Sequence, residues 1–379
     1  MDVDNLVSTY FSMGFQQREI LALLSSQHGI VICARTLRNV LRRTRLYRRK
    51  NYSDMVDVAC FILGEIEGSG MMHGYRMMHL KCIQQGFVVK RETVRQLLSI
   101  LDPVGVAYRS ARRLRRRQYS NPGPNFLWHV DGYDKLKPYG LCISGCIDGF
   151  SRNVIWLKVY STNNNPRVIA SYFIEAVKAR HGCSHRIRFD RGTENVAVEQ
   201  MQRFFRREEN ATSVLFGSSN HNQRIESFWG ILRKENVQFW MNFFECLKDS
   251  DQFSGDFLDC ALVQFCFMHL VQEELDNLAL IWNSHRIRKQ HNRNTPNGCP
   301  AILYGAPHLY GAEDHLFHCS EEDIQYCEEE CHKRTYPCDK TVFELCCILM
   351  EENELQPPKN IEECKDLYLK LRQEILDLL

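Results

Sequence analysis

At Phe126 the hydrophobic pattern of the chain changes period, and that change limits the folds open to it. Upstream, apolar residues recur three and four apart, as on helix faces; downstream, short apolar runs alternate with helical stretches. The segment FLWHVDGY reads as a strand. LCISGCIDGFSRNVIWLKVY reads as two more, joined by a turn at residues 149–153. A helix over Pro166–Arg180, a strand over Arg186–Asp190, a helix over Glu194–Arg207, a strand over Ser213–Phe216 and a helix over Arg224–Phe239 follow. This order predicts an α/β domain built on a mixed five-stranded sheet. A long helix over Asp256–Arg286 comes after it.

The front of the chain is helical and basic. Gln16–Leu24 places Ile20, Leu23 and Leu24 on one face, and His28-Gly29 breaks the pattern. A second helix, from Ala34 to Arg45, carries Leu37, Val40 and Leu41 on one side and Arg35, Arg38, Arg42 and Arg45 on another. Two short helices around a glycine turn, the second basic, fit a helix-turn-helix whose arginines meet phosphate. Helical patterns over Asp54–Glu67, Tyr75–Gln85 and Arg91–Leu101 repeat the theme, with Arg95 as a further phosphate contact; Pro103 and Gly105 close the block. Residues 109–117 then hold six arginines, among them Arg112, Arg113, Arg115, Arg116 and Arg117, and no acid. Such a run grips a polyanion or serves as a nuclear address.

Net charge hides this polarity. The total is +2, yet residues 1–118 hold 20 Lys and Arg against 9 Asp and Glu, and residues 312–379 hold 7 against 18. A basic front points to a nucleic-acid partner; an acidic tail points to a protein partner or to a segment that shields the basic part. No apolar run reaches 18 residues, so no membrane span is expected, and the acidic start MDVDNLVSTYF argues against a secretory signal. Seventeen scattered cysteines, an odd number, read as reduced thiols rather than a disulfide framework. The patch of His315, His318, Cys319, Cys327, Cys331, His332 and Cys338 has no C-x2-C pair, so zinc is not expected.

Three acids stand where chemistry is built. Asp131 ends the first apolar strand, Asp190 ends RIRF ahead of an Arg-Gly-Thr turn, and Glu226 lies in the first turn of a helix. Neighbouring strands would set the two aspartates side by side, and a helix crossing the sheet edge would add the glutamate. Clustered carboxylate oxygens are what a hard divalent cation needs, and two such ions suit phosphodiester chemistry. Any one of these acids alone is more ordinarily a turn or cap residue.

The text around the acids resembles the DDE integrases and transposases, a family that includes retroviral integrases and many insertion-sequence transposases. Thirty-five residues separate Asp190 from Glu226, as in that family. WHVDGY is similar to its first-strand motif, the D-x-x-S-R turn in ISGCIDGFSRNVIW to its hairpin, and FDRGTEN to its second-acid motif. HNQRIESFWGILRKE resembles the form N-x-x-x-E-S-F-x-x-x-L-K-x-E through Asn222, Glu226, Ser227, Phe228, Leu232, Lys234 and Glu235. Trp282–Arg286 with Thr295-Pro296 and Pro300 resembles the closing segment, and Gly74–Leu98 the helix-turn-helix ahead of the core.

The resemblance implies an RNase H-like core with Asp131, Asp190 and Glu226 as catalytic ligands to Mg2+ or Mn2+, two ions in all. It implies Asn222, Arg233 and Lys234 near DNA, and assembly as a homo-oligomer on DNA, in the nucleus. The expected organisation is a helix-turn-helix-like region at 1–50, a second at 51–105, an arginine-rich linker at 106–124, the catalytic core at 125–311 and an acidic helical region at 312–379. The retroviral His-His-Cys-Cys module is missing, and the tail, with an amphipathic helix over Asn360–Leu379, is unlike a DNA-binding domain. The leading reading is DNA strand transfer. A non-catalytic, transposon-derived DNA-binding or chromatin protein and a nuclease for RNA–DNA hybrids are the alternatives.

Overall fold

The computed structural model describes residues 2–110, 121–190, 192–208, 212–217, 222–288 and 296–378. It divides into two compact units. One comprises Met1–Phe126, Asp148–Asn153 and Leu280–His315; the other comprises Leu127–Ile147, Val154–Ala279 and Leu316–Leu379. The chain thus does not partition into consecutive blocks. By contacts the stretch Leu280–His315 clusters with the N-terminal helices.

The first unit opens with helices α1 (Val3–Ser12), α2 (Gln17–His28) and α3 (Ala34–Arg43). Asp2 caps α1 by accepting from the Asp4 N–H. Gly29, at φ 64, ends α2 in the left-handed conformation that glycine adopts at least cost. The apolar stripes expected from sequence are buried: Ile20, Leu23 and Leu24 meet Leu37, Val40 and Leu41. Helix α13 (Pro300–Gly305) completes this cluster with Ile302 and the flanking Cys299 and Ala306. Buried Glu19 caps its own helix, accepting from the Gln16 N–H at 2.7 Å, and pairs with Arg286 of the closing motif.

A second cluster in the same unit joins α4 (Met55–Glu67), α5 (Tyr75–Gln84) and α6 (Arg91–Leu101) around Val58, Ile62, Met78, Cys82, Val94 and Leu98. Pro103 and Gly105 do not close this block. They lie in a further helix, α7 (Pro103–Ser110), because proline suits a first helical position and Asp102 accepts the Gly105 N–H at 2.8 Å. Asp102 also pairs with Arg109 at 2.9 Å.

The second unit contains the sheet. Its strands are β1 (Leu127–Tyr133), β2 (Cys142–Asp148), β3 (Val154–Tyr160), β5 (Arg186–Phe189) and β6 (Val214–Phe216), in the order β3-β2-β1-β5-β6. β2 and β3 are antiparallel; β1 with β5, and β5 with β6, are parallel. Every residue of β2 is buried, Ser144 and Asp148 included, so its sequence does not alternate between a buried apolar and an exposed polar face. Helices α8 (Pro166–Arg180) and α9 (Val196–Phe205) bury Val168, Phe173, Val177, Val198 and Phe205 against Trp128, Val130 and Phe189 of the sheet. The architecture is the expected RNase H-like one: a mixed five-stranded sheet flanked by helices, with all-helical regions toward both ends of the chain.

The acidic region belongs to the second unit and is held there by its own strand and helices. β7 (Phe317–His318) pairs with β4 (Gly182–Cys183) in a small second sheet. Helix α14 (Glu321–Glu329) buries Ile324 and Cys327 beside α8 and α9. Its acids face the bases of those helices: Asp323 with Arg207 at 3.1 Å and Glu328 with Lys178 at 2.8 Å, while Glu330 beyond it meets Arg167 at 3.5 Å. Helices α15 (Lys340–Glu352) and α16 (Ile361–Leu378) follow. The amphipathic face of α16 buries Cys364, Leu367, Tyr368, Leu371 and Ile375, with Tyr368 donating to the Gln252 carbonyl and Arg372 to Asp259. All seventeen cysteines are free thiols. Among the described residues no helix is long and apolar enough to cross a membrane.

Candidate active site at the β1, β5 and α10 ends

Strand β1 buries Trp128 and Val130 in the core on one face and so turns His129 and Asp131 to the other. Its parallel register with β5 pairs Leu127 with Arg186, Trp128 with Ile187 and His129 with Arg188. Carried two residues further, that register brings Asp131 level with Asp190, the first residue past β5. Asp190 is exposed, and its Oδ1 accepts from the Gly192 N–H and from Asn195 Nδ2, both at 3.3 Å. The short FDRGTEN motif therefore folds back on its own acid.

Helix α10 (Gln223–Leu232) packs on β1. It buries Ile225, Phe228, Trp229 and Leu232 and leaves Glu226 and Gly230 exposed. Its start is fixed by Asn222, which is buried. The Asn222 amide nitrogen donates to the Val130 carbonyl at 2.9 Å, which turns Oδ1 toward His129 Nδ1, 2.6 Å away. That ring nitrogen must therefore carry the proton, and burial pushes the His129 pKa down to about 3, so the imidazole is neutral. Asn222 was expected near DNA; its amide is spent inside the core, joining α10 to β1.

Two turns on from Asn222, Trp229 donates its indole N–H to Asp131 Oδ2 at 2.8 Å. The ring lies on Gly145 of β2: a Cβ there would come within 2.5 Å of Trp229 Cη2. Tyr133 closes the other side, with ring centroids 5.1 Å apart. Sequence reading did not single out Trp229. The available signal was a glycine in the middle of a strand, which marks close approach by another group without saying which.

Asp131 and Glu226 are shifted by the charges around them. Burial pushes the Asp131 carboxyl up, the charges of Glu226 and Asp190 push it further, and the Trp229 N–H opposes them, leaving it at about 7. Glu226 is also raised, by burial and by Asp190. The donor set of two aspartates and a glutamate suits a hard divalent cation. The spacing does not close around one: among the described residues no three His, Cys, Asp or Glu side chains stand close enough to hold a metal ion.

After α10 the backbone passes through a π turn, Arg233–Val237, into helix α11 (Gln238–Asp249), where sequence predicted a single helix ending at Phe239. Exposed Arg233 donates to Gln238, and Lys234 lies 3.5 Å from Glu235. Asn236 and Trp240 both donate to Glu274 Oε2, at 2.8 and 2.7 Å, which anchors this turn to the long helix α12 (Phe257–Ser284). A π turn inside a helix costs backbone hydrogen bonding, and such turns recur beside functional residues.

In the first unit Arg35, Arg38 and Arg42 are exposed on the side of α3 away from Leu37, Val40 and Leu41; Arg45, expected on the same helix, is exposed beyond its end, at φ 57. Arg95 is exposed and engaged by Glu92. Arg112, Arg113, Arg115, Arg116 and Arg117 lie outside the described residues. The D-x-x-S-R turn is structural: Asp148 is buried and accepts from the N–H groups of Asn125, Phe150 and Ser151 and from the Ser151 hydroxyl, while Arg152 takes φ 64.

Residues 118–302 match a family model described as Integrase core domain. This stretch is an integrase core domain. The match contains Asp131, Asp190 and Glu226 together with the strands and helix that carry them. It also contains the D-x-x-S-R turn and reaches into α13. No curated protein matches the chain.

Proposed function

We propose that this protein is a DDE-type polynucleotidyl transferase that cuts and joins DNA, with Asp131, Asp190 and Glu226 as ligands to Mg2+ or Mn2+. The carrying observation is the parallel register of β1 and β5, which sets Asp131 level with Asp190 at the strand ends of an integrase core domain. The charge of Glu226, felt at Asp131, supports the third ligand. A divalent cation bound there would withdraw charge from the scissile phosphodiester. The protein's own part is to hold three negative oxygen donors in a fixed array and to keep the duplex in place through exposed arginines of α3 and through Arg233 and Lys234. Water would attack a phosphodiester and free a 3′-hydroxyl. That hydroxyl would attack target DNA in line, with no covalent protein–DNA intermediate. Two ends must be handled together, so a homo-oligomer on DNA is part of the reading, as is a nuclear location.

The test is metal-dependent nicking and joining of candidate terminal repeats by the wild type, Asp131→Asn, Asp190→Asn and Glu226→Gln. Activity in the wild type and loss of at least a hundredfold in each variant is expected; equal rates in all four would refute the assignment. The open spacing of the acids favours a second reading, a transposon-derived DNA-binding protein without catalysis. Salt-dependent DNA binding with no metal-dependent cleavage of any substrate would select it.

A further inference from the structure

We infer that Cys183 and Cys319 form a dithiol site that a hydroperoxide oxidises to a disulfide, fastening the start of the acidic region covalently to the end of α8. The two residues meet across the small β4–β7 sheet. Its register pairs Gly182 with His318 and Cys183 with Phe317, and the Cys319 N–H extends it by donating to the His181 carbonyl at 3.2 Å. Side chains two apart on a strand share a face, so Cys319 stands on the face of Phe317 and therefore of Cys183. The Cys319 Sγ leans back along its strand, donating to the Phe317 carbonyl at 3.6 Å, toward the position opposite Cys183. The two thiols are hydrogen-bonded to each other. Their surroundings divide the roles. Cys183 is fully buried in the cluster beneath α8 and α9, whereas Cys319 lies at its edge, partly exposed. Buried Arg206 holds its guanidinium 4.3 Å over the Phe317 ring, beside the same pair. Hydrogen bonds from the Cys183 thiol and backbone N–H hold the Cys319 thiol below its ordinary value, and the Arg206 charge acts the same way against burial and Asp323. The bond to Cys319 and burial push the Cys183 thiol up. Cys319 is thus the thiolate that meets solvent, and Cys183 the protonated thiol behind it. Nearby Cys327 and Cys331 are instead raised by burial, to about 12 and about 11. The Cys319 sulfur attacks one peroxide oxygen; the O–O bond breaks, and the departing oxygen leaves as water or alcohol with the thiol proton. Cys183 then attacks the sulfenic sulfur of Cys319, the S–O bond breaks, and the hydroxyl leaves as water with the Cys183 proton. Two thiols lose two electrons to one peroxide. The disulfide closes the whole chain between β4 and β7 into one loop, which stabilises the fold by restricting the unfolded chain.

The experiment treats the full chain with stoichiometric hydrogen peroxide, blocks the remaining thiols with an alkylating agent and maps linked peptides by mass spectrometry. The wild type is expected to give the Cys183–Cys319 link as its main cross-link, lost on treatment with dithiothreitol. Cys183→Ser is expected to stop at a Cys319 sulfenic acid that dimedone traps, and Cys319→Ser to leave Cys183 reduced. The linked wild type should unfold about 5 °C or more above its reduced form, a shift that Cys319→Ser loses. A link that leaves the unfolding midpoint unchanged overturns the fastening of the acidic region. Cys319 joined to Cys327 or Cys331, Cys319 carried to sulfinic acid without a link, or Cys319 left reduced while other thiols oxidise overturns the site itself. Should either variant fail to fold, the wild-type map decides, because it identifies both sulfurs of the bond.

Discussion

His129 and Asn222 show how much of this site is built from groups that never meet substrate. The imidazole is fully buried and neutral, and its proton is committed to an amide whose other end holds the β1 backbone. A histidine with a lowered folded pKa gives stability that is complete above the unfolded value of about 6.5 and is lost as pH falls toward about 3. The loss from this one group is ~1.4 kcal/mol per pH unit below about 6.5. Urea unfolding between pH 7 and pH 4 is expected to give a steep acid limb in the wild type. In His129→Asn, whose amide keeps a donor near Nδ1, the limb is expected to be flatter although the protein is less stable overall. Identical slopes would show that His129 titrates in both states alike. The residue could be read in the sequence as the neighbour of Asp131 in WHVDGY, but not its role. A histidine in a strand is buried or exposed according to what packs above it, and that is a helix starting ninety residues later.

The elements of the second unit differ in what fastens them. Helix α14 is joined to α8 and α9 by several surface ion pairs and by two buried apolar side chains. The ion pairs are exposed at both partners to a quarter or more, apart from Asp323, and exposed pairs contribute roughly 0–1 kcal/mol each. Removing a buried isoleucine side chain costs about 2–5 kcal/mol. Ile324→Ala is therefore expected to lower stability by more than 2 kcal/mol, whereas raising NaCl from 0.1 to 1 M should change the unfolding midpoint little. The reverse ranking, read from paired denaturation curves, would make the acid–base face the main fastening. Helix α16 follows a different rule, because Asp259 has a side chain only 1% exposed and depends on Arg372. Arg372→Ala leaves that carboxylate without its cation, with the Ser254 N–H as a remaining donor, and should cost about 3–5 kcal/mol, the range for a broken buried pair; a loss below about 1 kcal/mol in calorimetry would mean that the Ser254 N–H suffices. The amphipathic pattern of α16 was legible in sequence, and its partner was not. The same stripe suits a separate protein as well as it suits the residues it buries against here.

For the molecule as a whole, charge is distributed by region, and the regions respond differently to salt. Exposed Arg35, Arg38 and Arg42 of α3 and Arg45 just beyond it carry four positive charges, with the apolar residues of the helix on its buried side. Binding to duplex DNA should weaken with salt, the slope falling by about 0.9 for each phosphate contact removed. Replacing Arg35, Arg38, Arg42 and Arg45 with alanine is expected to reduce the slope of log K against log salt by about 3 to 4, in filter-binding or anisotropy titrations. An unchanged slope would place the DNA contact elsewhere. In the acidic region the carboxylates of Asp323, Glu328 and Glu330 are matched by Arg207, Lys178 and Arg167 of the same unit, which neutralises part of its negative charge.

Local chemistry made the elements legible from the sequence alone. Helices α6 and α8 run between the predicted residues because apolar spacing, a capping asparagine at Asn165 and prolines at first positions act within one or two turns. The three acids and the integrase-like text around them were legible for the same reason, since each motif is a contiguous stretch. What only the tertiary structure decided depends on residues far apart in the chain. It decided that residues 280–315 side with the N-terminal helices, that the acidic tail is woven into the second unit through β7, and that Asn222 is buried. It also decided that an indole bonded to Asp131 rests on a glycine of another strand. Burial, close approach and the pairing of distant side chains arise from the packing of whole faces, and a linear pattern encodes each face without naming its partner.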